Sequence, residues 1–515
     1  MAHDETTLQP GNRATSSGPT RRVVLTLLAH GIPERVGARC TLPTRGTTEL
    51  SRRSPDFVDL QGTQGPLDDP YISRKPTGLT VSRGTLRVEP NLAGAGLVAD
   101  GQALASATTW GGAALDRGVV LEVGGRATLL AHRVLASEPE KDRCGVVGIS
   151  DAIDRVRRQI RQVADLDVSV LIRGESGVGK ELVAQAIHQR SSRRTGPFVT
   201  VNMAALTPST AASALFGHKR GAFTGADRSR SGLFREAHGG TLFLDEIGEA
   251  PPELQTMLLR ALETGEVTPV GEDRPVAVDV RVLAATDARL EDAVEGGSFR
   301  LPLLHRLSGF ELVVAPLRER REDVALLLLH FLADELATVG ESHRLQPAPK
   351  GADPWLEPGL VARLVRAPWP GNVRQLRNVA RQLVIASRGA DALQMTPAVE
   401  RALGGPSDGP ASAQKLPSPS RSAAARPAQI DEDALLAALR AHDFRPTATA
   451  KALGISKTSL YALIESSPRV RKARDLTGAQ IRAALDGAED LSAAARLLEV
   501  SARGLKLRMT ELGLH

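Results

Sequence analysis

The sequence predicts a multidomain chain: an all-β sandwich, then an α/β unit that closes with helices, then an all-α region. Three observations predict this order. Between residues 21 and 132, short apolar runs such as 23–28 and 119–123 alternate with turn residues. From 145 to 403, strand-like apolar runs alternate with helical periods. After a stretch dominated by Pro, Ser and Ala, the last part of the chain has helical period throughout. The expected boundaries are a disordered tail at 1–20, the sandwich at 21–134, a charged connector at 135–144, the α/β unit at 145–403, a flexible linker at 404–428 and the helical region at 429–515.

Composition narrows the class. No apolar run among the 515 residues approaches the roughly 18 to 20 needed to span a bilayer. The start has no basic segment followed by an apolar core, so no secretory signal is expected. Cys40 and Cys144 are far apart and lack metal-ligand spacing, which fits two packing thiols in a reducing cytoplasm. The net charge of +6 is compatible with nucleic acid without requiring it.

The α/β unit carries the chemistry. An alternating strand at 168–173 runs into Gly174-Glu175-Ser176-Gly177-Val178-Gly179-Lys180-Glu181, and a helix is expected from Leu182. Strand, glycine loop, lysine and helix form a phosphate cradle: backbone N–H groups turn inward and the helix start favours negative charge. Lys180 is suited to reach the β- and γ-phosphates of ATP. A second apolar strand ends in Asp245-Glu246, and such a strand sits beside the phosphate loop in P-loop ATPases. Asp245 is expected to help hold Mg²⁺ and Glu246 to activate the attacking water.

With these motifs in place, residues 145–390 resemble the AAA+ domain of sigma-54-dependent activators, the NtrC-like enhancer-binding proteins. That family ends its phosphate loop in Lys-Glu, as Lys180-Glu181 does here. The resemblance is most specific at Gly221-Ala222-Phe223-Thr224-Gly225-Ala226, which follows Leu215-Phe216-Gly217-His218. In the family this loop tip touches sigma-54 and moves with the nucleotide state; the residues alone predict a glycine-flanked turn presenting Phe223 and Thr224. The resemblance further implies that Asn202 relays the γ-phosphate signal to Glu246. It makes Arg300 and Arg306 arginine fingers that reach a neighbouring subunit's nucleotide in a hexameric or heptameric ring, and Arg374 the sensor of a helical lid. Pro316-Leu317-Arg318-Glu319-Arg320 is a further family signature. Departures are Asp287 where the family has Asn, Ala214 where it has an acid, and Lys219-Arg220 where an acid then a base is usual. Leu301-Pro302 replaces the acids between the fingers, and Pro302 predicts a helix that contains Arg306 and begins after Arg300.

The C-terminal region repeats itself: 450–456 is echoed by 495–501, and Leu460 by Leu505. Each copy resembles a Fis-type helix-turn-helix. In the first, Ser456 caps a recognition helix carrying Lys457, Thr458, Ser459 and Tyr461; in the second, Arg503 and Lys506 follow Ser501. Double-stranded DNA upstream of a promoter is the implied partner. A helical hairpin used for dimerisation is the competing reading, favoured more in the second copy, where Glu499 replaces the turn glycine.

The sandwich resembles a forkhead-associated (FHA) domain, a reader of phosphothreonine proteins. Arg53 and Ser73 match that family's phosphate-binding Arg and Ser, while Pro76 stands where it has His. A structural or repurposed domain is the alternative. The whole reads as an ATP-dependent activator of sigma-54 RNA polymerase: sensor, ring ATPase and DNA tether. A non-transcriptional remodelling ATPase is opposed by the hexapeptide and the helix-turn-helix. A repressor with an impaired motor is opposed by intact Lys180, Asp245, Glu246 and both arginines.

Overall fold

In the computed structural model the chain divides into two units, Met1–Ser407 and Asp408–His515. The structure describes residues 21–91, 96–136, 142–222, 228–348, 353–403, 432–442, 475–488 and 491–501, with scattered positions elsewhere between 444 and 512. Among the described residues no helix is long and apolar enough to cross a membrane.

The first unit begins with two β-sheets, of eight and four strands. Arg21–Ala29 pairs antiparallel with Ala127–Leu135 on one side and with Arg39–Thr41 on the other. Its last seven residues are all buried, with no alternation. Two different cores explain this. Leu25 and Leu27 point into the sandwich, with Leu121 and Leu129. Leu28, Val120 and Leu130 point the other way, into a core shared with Val324, Leu328, Val361 and Leu364 of later helices. The period of two holds as far as Leu27, where a register shift turns both Leu28 and Ala29 into the second core; both faces are covered, so the strand reads as a continuous apolar run. The expectation of pure β structure needs one correction: Gly112–Arg117 is a helix that buries Leu115 completely. The connector is also anchored, because Asp142 accepts from the Cys144 N–H and from Arg190, and Cys144 is buried.

The α/β part has a five-stranded parallel sheet in the order Phe198–Asn202, Thr241–Asp245, Arg281–Thr286, Val170–Arg173, Phe310–Val313. Its three central strands are apolar runs covered on both faces, whereas the edge strands Phe198–Asn202 and Phe310–Val313 are partly exposed. A lid follows, built on helices Glu322–Thr338, Pro358–Arg366 and Asn372–Ala386.

Polar bonds tie the sandwich to this lid. Thr128 Oγ1 donates to the Pro358 carbonyl at 2.8 Å, Arg366 pairs with Glu122 at 2.8 Å, and Arg126 pairs with Asp69 and Asp353. Arg39 donates to the Ile149 carbonyl at 2.6 Å, and the Leu135 N–H to Asp151 at 2.8 Å, so the sandwich also grips the start of the α/β part.

Two titratable groups face each other in this seam: His132 Nδ1 lies 3.9 Å from Glu322 Oε1. Burial pushes the His132 imidazole down to about 3, and burial with the Asp323 and Asp151 charges pushes the Glu322 carboxyl up to about 8. The raised Glu322 value gives stability that is complete below its ordinary 4.5 and lost as pH rises toward 8. The lowered His132 value gives stability present above its ordinary 6.5 and lost as pH falls toward 3. Between the two ordinary values the slopes cancel; above pH 6.5 only the Glu322 loss remains. The first unit should therefore lose thermal stability as pH rises from 6.5 to 8. Glu322→Gln should abolish that decline, and a decline of unchanged size in the variant would assign it to another group.

The second unit has two small cores. Leu435, Leu436, Leu439, Phe444, Leu460 and Val470 form one, with Leu435, Leu436 and Leu439 on the helix Glu432–Ala441. Leu476, Ile481, Ala494, Ala495, Leu498, Val500 and Leu505 form the other. It is built on helices Gly478–Asp486 and Leu491–Leu497, the first opened by a Thr477/Gln480 capping box. Equivalent leucines of the sequence repeat, Leu460 and Leu505, are both fully buried. Glu499 sits at φ +54°, so the second copy makes its turn in the left-handed region without a glycine.

Candidate functional site

The phosphate loop leaves the sheet at Arg173, and the helix after it begins at Lys180, two residues earlier than the sequence suggested. Gly179, at φ +107°, precedes it, and the lysine itself occupies the first turn. Gly177 is irreplaceable for a spatial reason. Its φ is +78°, and a Cβ there would lie 2.5 Å from the Gly371 carbonyl of the lid. Val178 is buried and anchors the loop's underside, while Glu181 is exposed.

The strand Thr241–Asp245 does not neighbour the strand of the loop; Arg281–Thr286 lies between them. Its end still meets the loop. Lys180 Nζ is 3.7 Å from Glu246 Oε1 and donates to the Gly174 carbonyl at 2.9 Å. Glu246 takes φ +54°, a left-handed conformation that costs a non-glycine residue on the order of 1 kcal/mol. The inserted strand brings Asp287 to the site. Burial pushes the Glu246 carboxyl up; the Lys180 ammonium pulls it down, and the Asp287 and Asp245 charges push it up again, leaving it raised overall. Asp287 thus acts on the carboxylate rather than turning away from it. Asp245 Oδ1 accepts the Glu246 N–H at 3.1 Å. This site offers Mg²⁺ hard carboxylate oxygen, and a magnesium ion held by one or two carboxylates takes its other ligands from phosphate and water. The donor set therefore fits that ion.

Asn202 is in register with Asp245 on the adjacent strand, and its Oδ1 accepts the Ala204 N–H at 2.9 Å. From the lid, Arg374 reaches the loop twice: its N–H donates to the Gly177 carbonyl and its Nη1 to Ser176 Oγ, both at 3.2 Å. Two residues of this contact carried no assigned role in the sequence reading. Arg318 makes a bidentate pair with Glu175 at 2.8 and 2.6 Å and holds that carboxyl below its ordinary value. Asn372 donates to Glu175 and to the Ser176 carbonyl, and accepts from the Leu317 N–H. Arg318 lies inside the signature 316–320 and Asn372 inside the stretch that carries Arg374, but the role of each depends on a lid that folds back onto the loop.

Arg300 and Arg306 lie elsewhere. Arg300 precedes the helix Leu301–Leu307 and Arg306 lies in its last turn. Both are exposed. Arg306 Nε donates to the Leu262 carbonyl, and the Arg300 N–H to the buried Gln255. Gln255 was missed too; its only sequence signal is a polar residue on the apolar side of the helix Pro252–Thr264.

The hexapeptide is described only at its start. Exposed Gly221 and half-buried Ala222 lie between the paired segments Gly217–His218 and Arg230–Ser231. Phe223, Thr224, Gly225 and Ala226 lie outside the described residues. So do Lys457, Thr458, Ser459, Tyr461 and Arg503, whereas Lys506 is described and exposed. In the sandwich, the segments carrying Arg53 and Ser73 meet: the Arg52 N–H donates to the Ser73 carbonyl at 3.0 Å, Arg53 is exposed and Ser73 half-buried.

Glycine loop, lysine, paired carboxylates on a parallel sheet and a helical lid closing on the loop define an AAA+ ATPase domain. Residues 146–313 match the family model of the Sigma-54 interaction domain, and residues 318–397 that of the AAA+ ATPase lid domain. The DNA-binding transcriptional regulator NtrC of Escherichia coli (strain K12) is 46% identical over 248 residues, covering 48% of this chain and 51% of that protein. The anaerobic nitric oxide reductase transcription regulator NorR of Salmonella arizonae is 46% identical over 275 residues, 53% of this chain and 52% of its own. A solved structure of NtrX from Brucella abortus in complex with ATP is 35% identical, with a TM-score of 0.42, and covers 62% of this chain and 68% of that one. The chain spans about half the length of the curated relatives it matches.

Proposed function

We propose that the chain is an ATP-driven activator of transcription by sigma-54 RNA polymerase. The observation that carries the reading is the match of 146–313 to the Sigma-54 interaction domain, on a unit whose phosphate loop, carboxylates and lid arginine converge. Bound Mg²⁺ would neutralise charge on the phosphates. Lys180 and the N–H groups of 174–181 hold those phosphates, Asp245 holds the metal, and Glu246 takes the proton of the attacking water. Asn202 couples the γ-phosphate to Glu246, and Arg374 couples it to the lid. Arg300 and Arg306 act on the nucleotide of the next subunit in a hexameric or heptameric ring. The loop at 221–226 transmits the stroke to sigma-54. The helix-turn-helix pair, through Lys457, Thr458, Ser459, Tyr461, Arg503 and Lys506, tethers the ring to upstream DNA in the cytoplasm. The FHA-like sandwich receives a phosphothreonine protein through Arg53 and Ser73.

In vitro transcription from a sigma-54 promoter, with and without this protein and ATP, tests the reading. Thr224→Ala should keep most ATPase activity while losing sigma-54 binding and open-complex formation. Equal loss of both activities would make the loop part of the ATPase core. Asp287 beside Glu246 favours a second reading, a DNA-binding repressor with a slowed motor; ATP-independent repression in the same assay would select it.

A further inference from the structure

In three cavities of the first unit a guanidinium group is engaged by the protein itself. Arg157, in the first, donates to Asp154 and to the carbonyls of Arg143, Val146 and Gly148. Arg35, in the second, donates to the Gly65 and Pro66 carbonyls among Asp59, Asp68 and Asp69. Arg281, in the third, is spent on the carbonyls of Val163, Ala164 and Val168.

A fourth differs. It has a volume of about 390 Å³ and lies on the seam between sandwich and lid, lined by Asp100, Trp110, Arg117, Gly118, Arg321 and Arg366 among others. Arg117, in the last turn of the helix Gly112–Arg117, is exposed, with no hydrogen bond or ion pair among the described residues. Arg321 gives one N–H to the Gly118 carbonyl at 3.2 Å, and Arg366 one to Glu122 at 2.8 Å. Each guanidinium has five N–H donors. Asp100, the carboxylate lining the cavity, already accepts the Val120 N–H at 3.1 Å. Three guanidinium groups thus face one carboxylate among the lining residues, an excess of charged donors. Planar guanidinium forks match phosphoryl oxygens. Trp110, half-buried, adds an apolar wall.

We propose that this cavity binds a small phosphoryl anion, held by Arg117 from the sandwich and by Arg321 and Arg366 from the lid side, which fastens the two parts together. The site is separate from the phosphate loop and does not depend on the transcriptional reading. Free polyphosphate and a nucleotide present the same oxygens; a nucleotide adds a ring for Trp110.

The test is titration of the full chain with sodium pyrophosphate and, separately, with GMP, followed by tryptophan fluorescence and by calorimetry. Of the three tryptophans, Trp355 and Trp369 are buried, so Trp110 reports on the cavity. Saturable binding of either probe is expected, weakened about tenfold or more by Arg117→Ala, since a hydrogen bond between charged partners is lost. Arg117 is exposed, so the variant should fold, which circular dichroism verifies. In a Lys180→Ala background, which removes phosphate binding at the loop, saturable binding at the cavity should persist, and Trp110→Phe should remove the fluorescence change while the heat persists. Tighter GMP binding would identify a nucleotide, and tighter pyrophosphate binding an inorganic polyphosphate. Absence of saturable binding by both probes overturns the proposal. So does binding that survives Arg117→Ala at full strength, or that disappears in Lys180→Ala, which would place it on the phosphate loop.

Discussion

Glu246→Gln should bind ATP as the wild type does and hydrolyse it roughly 10²–10⁴-fold more slowly, the usual contribution of a positioned base. The geometry gives the reason. Glu246 lies at the end of Thr241–Asp245, 3.7 Å from Lys180, with its carboxyl raised by burial and by Asp287. Glutamine keeps the shape and loses the ability to take a proton. Lys180→Ala should instead abolish binding, because the ammonium that meets the phosphates is gone. Steady-state ATPase and direct nucleotide-binding measurements on both variants separate the two effects. Wild-type turnover by Glu246→Gln would show that another group, with Asp287 the nearest alternative, activates the water.

Arg306→Ala should bind ATP and lose on the order of 10³-fold in turnover, the lower range for an arginine supplied in trans. Arg300 and Arg306 are exposed, and among the described residues their hydrogen bonds go to Gln255 and Leu262 rather than to the phosphate loop of their own chain. If they serve a neighbour, specific activity of the wild type should rise with protein concentration. Mixing Arg306→Ala with Glu246→Gln subunits should then restore part of the activity, since each repairs one kind of interface. Activity independent of concentration, in a monomer, would remove both arginines from the site.

The sequence was most legible where a local pattern and a backbone requirement coincide. The glycine loop, its lysine and the carboxylate strand are each contiguous, and the structure brings Lys180 and Glu246 together. The β-rich start and the helical lid were legible from periodicity for the same reason. What stayed hidden was non-local. Asn372 and Gln255 look like ordinary helix residues until the lid and the helix Leu301–Leu307 fold against them. The insertion of Arg281–Thr286 between two nucleotide-site strands is a matter of topology, and it alone explains why Asp287 acts on Glu246. The continuous burial of Arg21–Ala29 was visible as an apolar run, but nothing in that run says which helices cover its second face.

That second face has a thermodynamic consequence. Leu28, Val120 and Leu130 share a core with lid helices, one of which, Asn372–Ala386, carries the Arg374 that touches the phosphate loop. Suppose a partner binds the sandwich better when the seam is open, and a nucleotide binds better when it is shut. Linkage then requires each to weaken the other by the same factor, whichever arrives first. The signal would need no separate relay. One equilibrium, the parting of a strand from a helix, would be read at both ends, and reversing cause and effect would leave its magnitude unchanged.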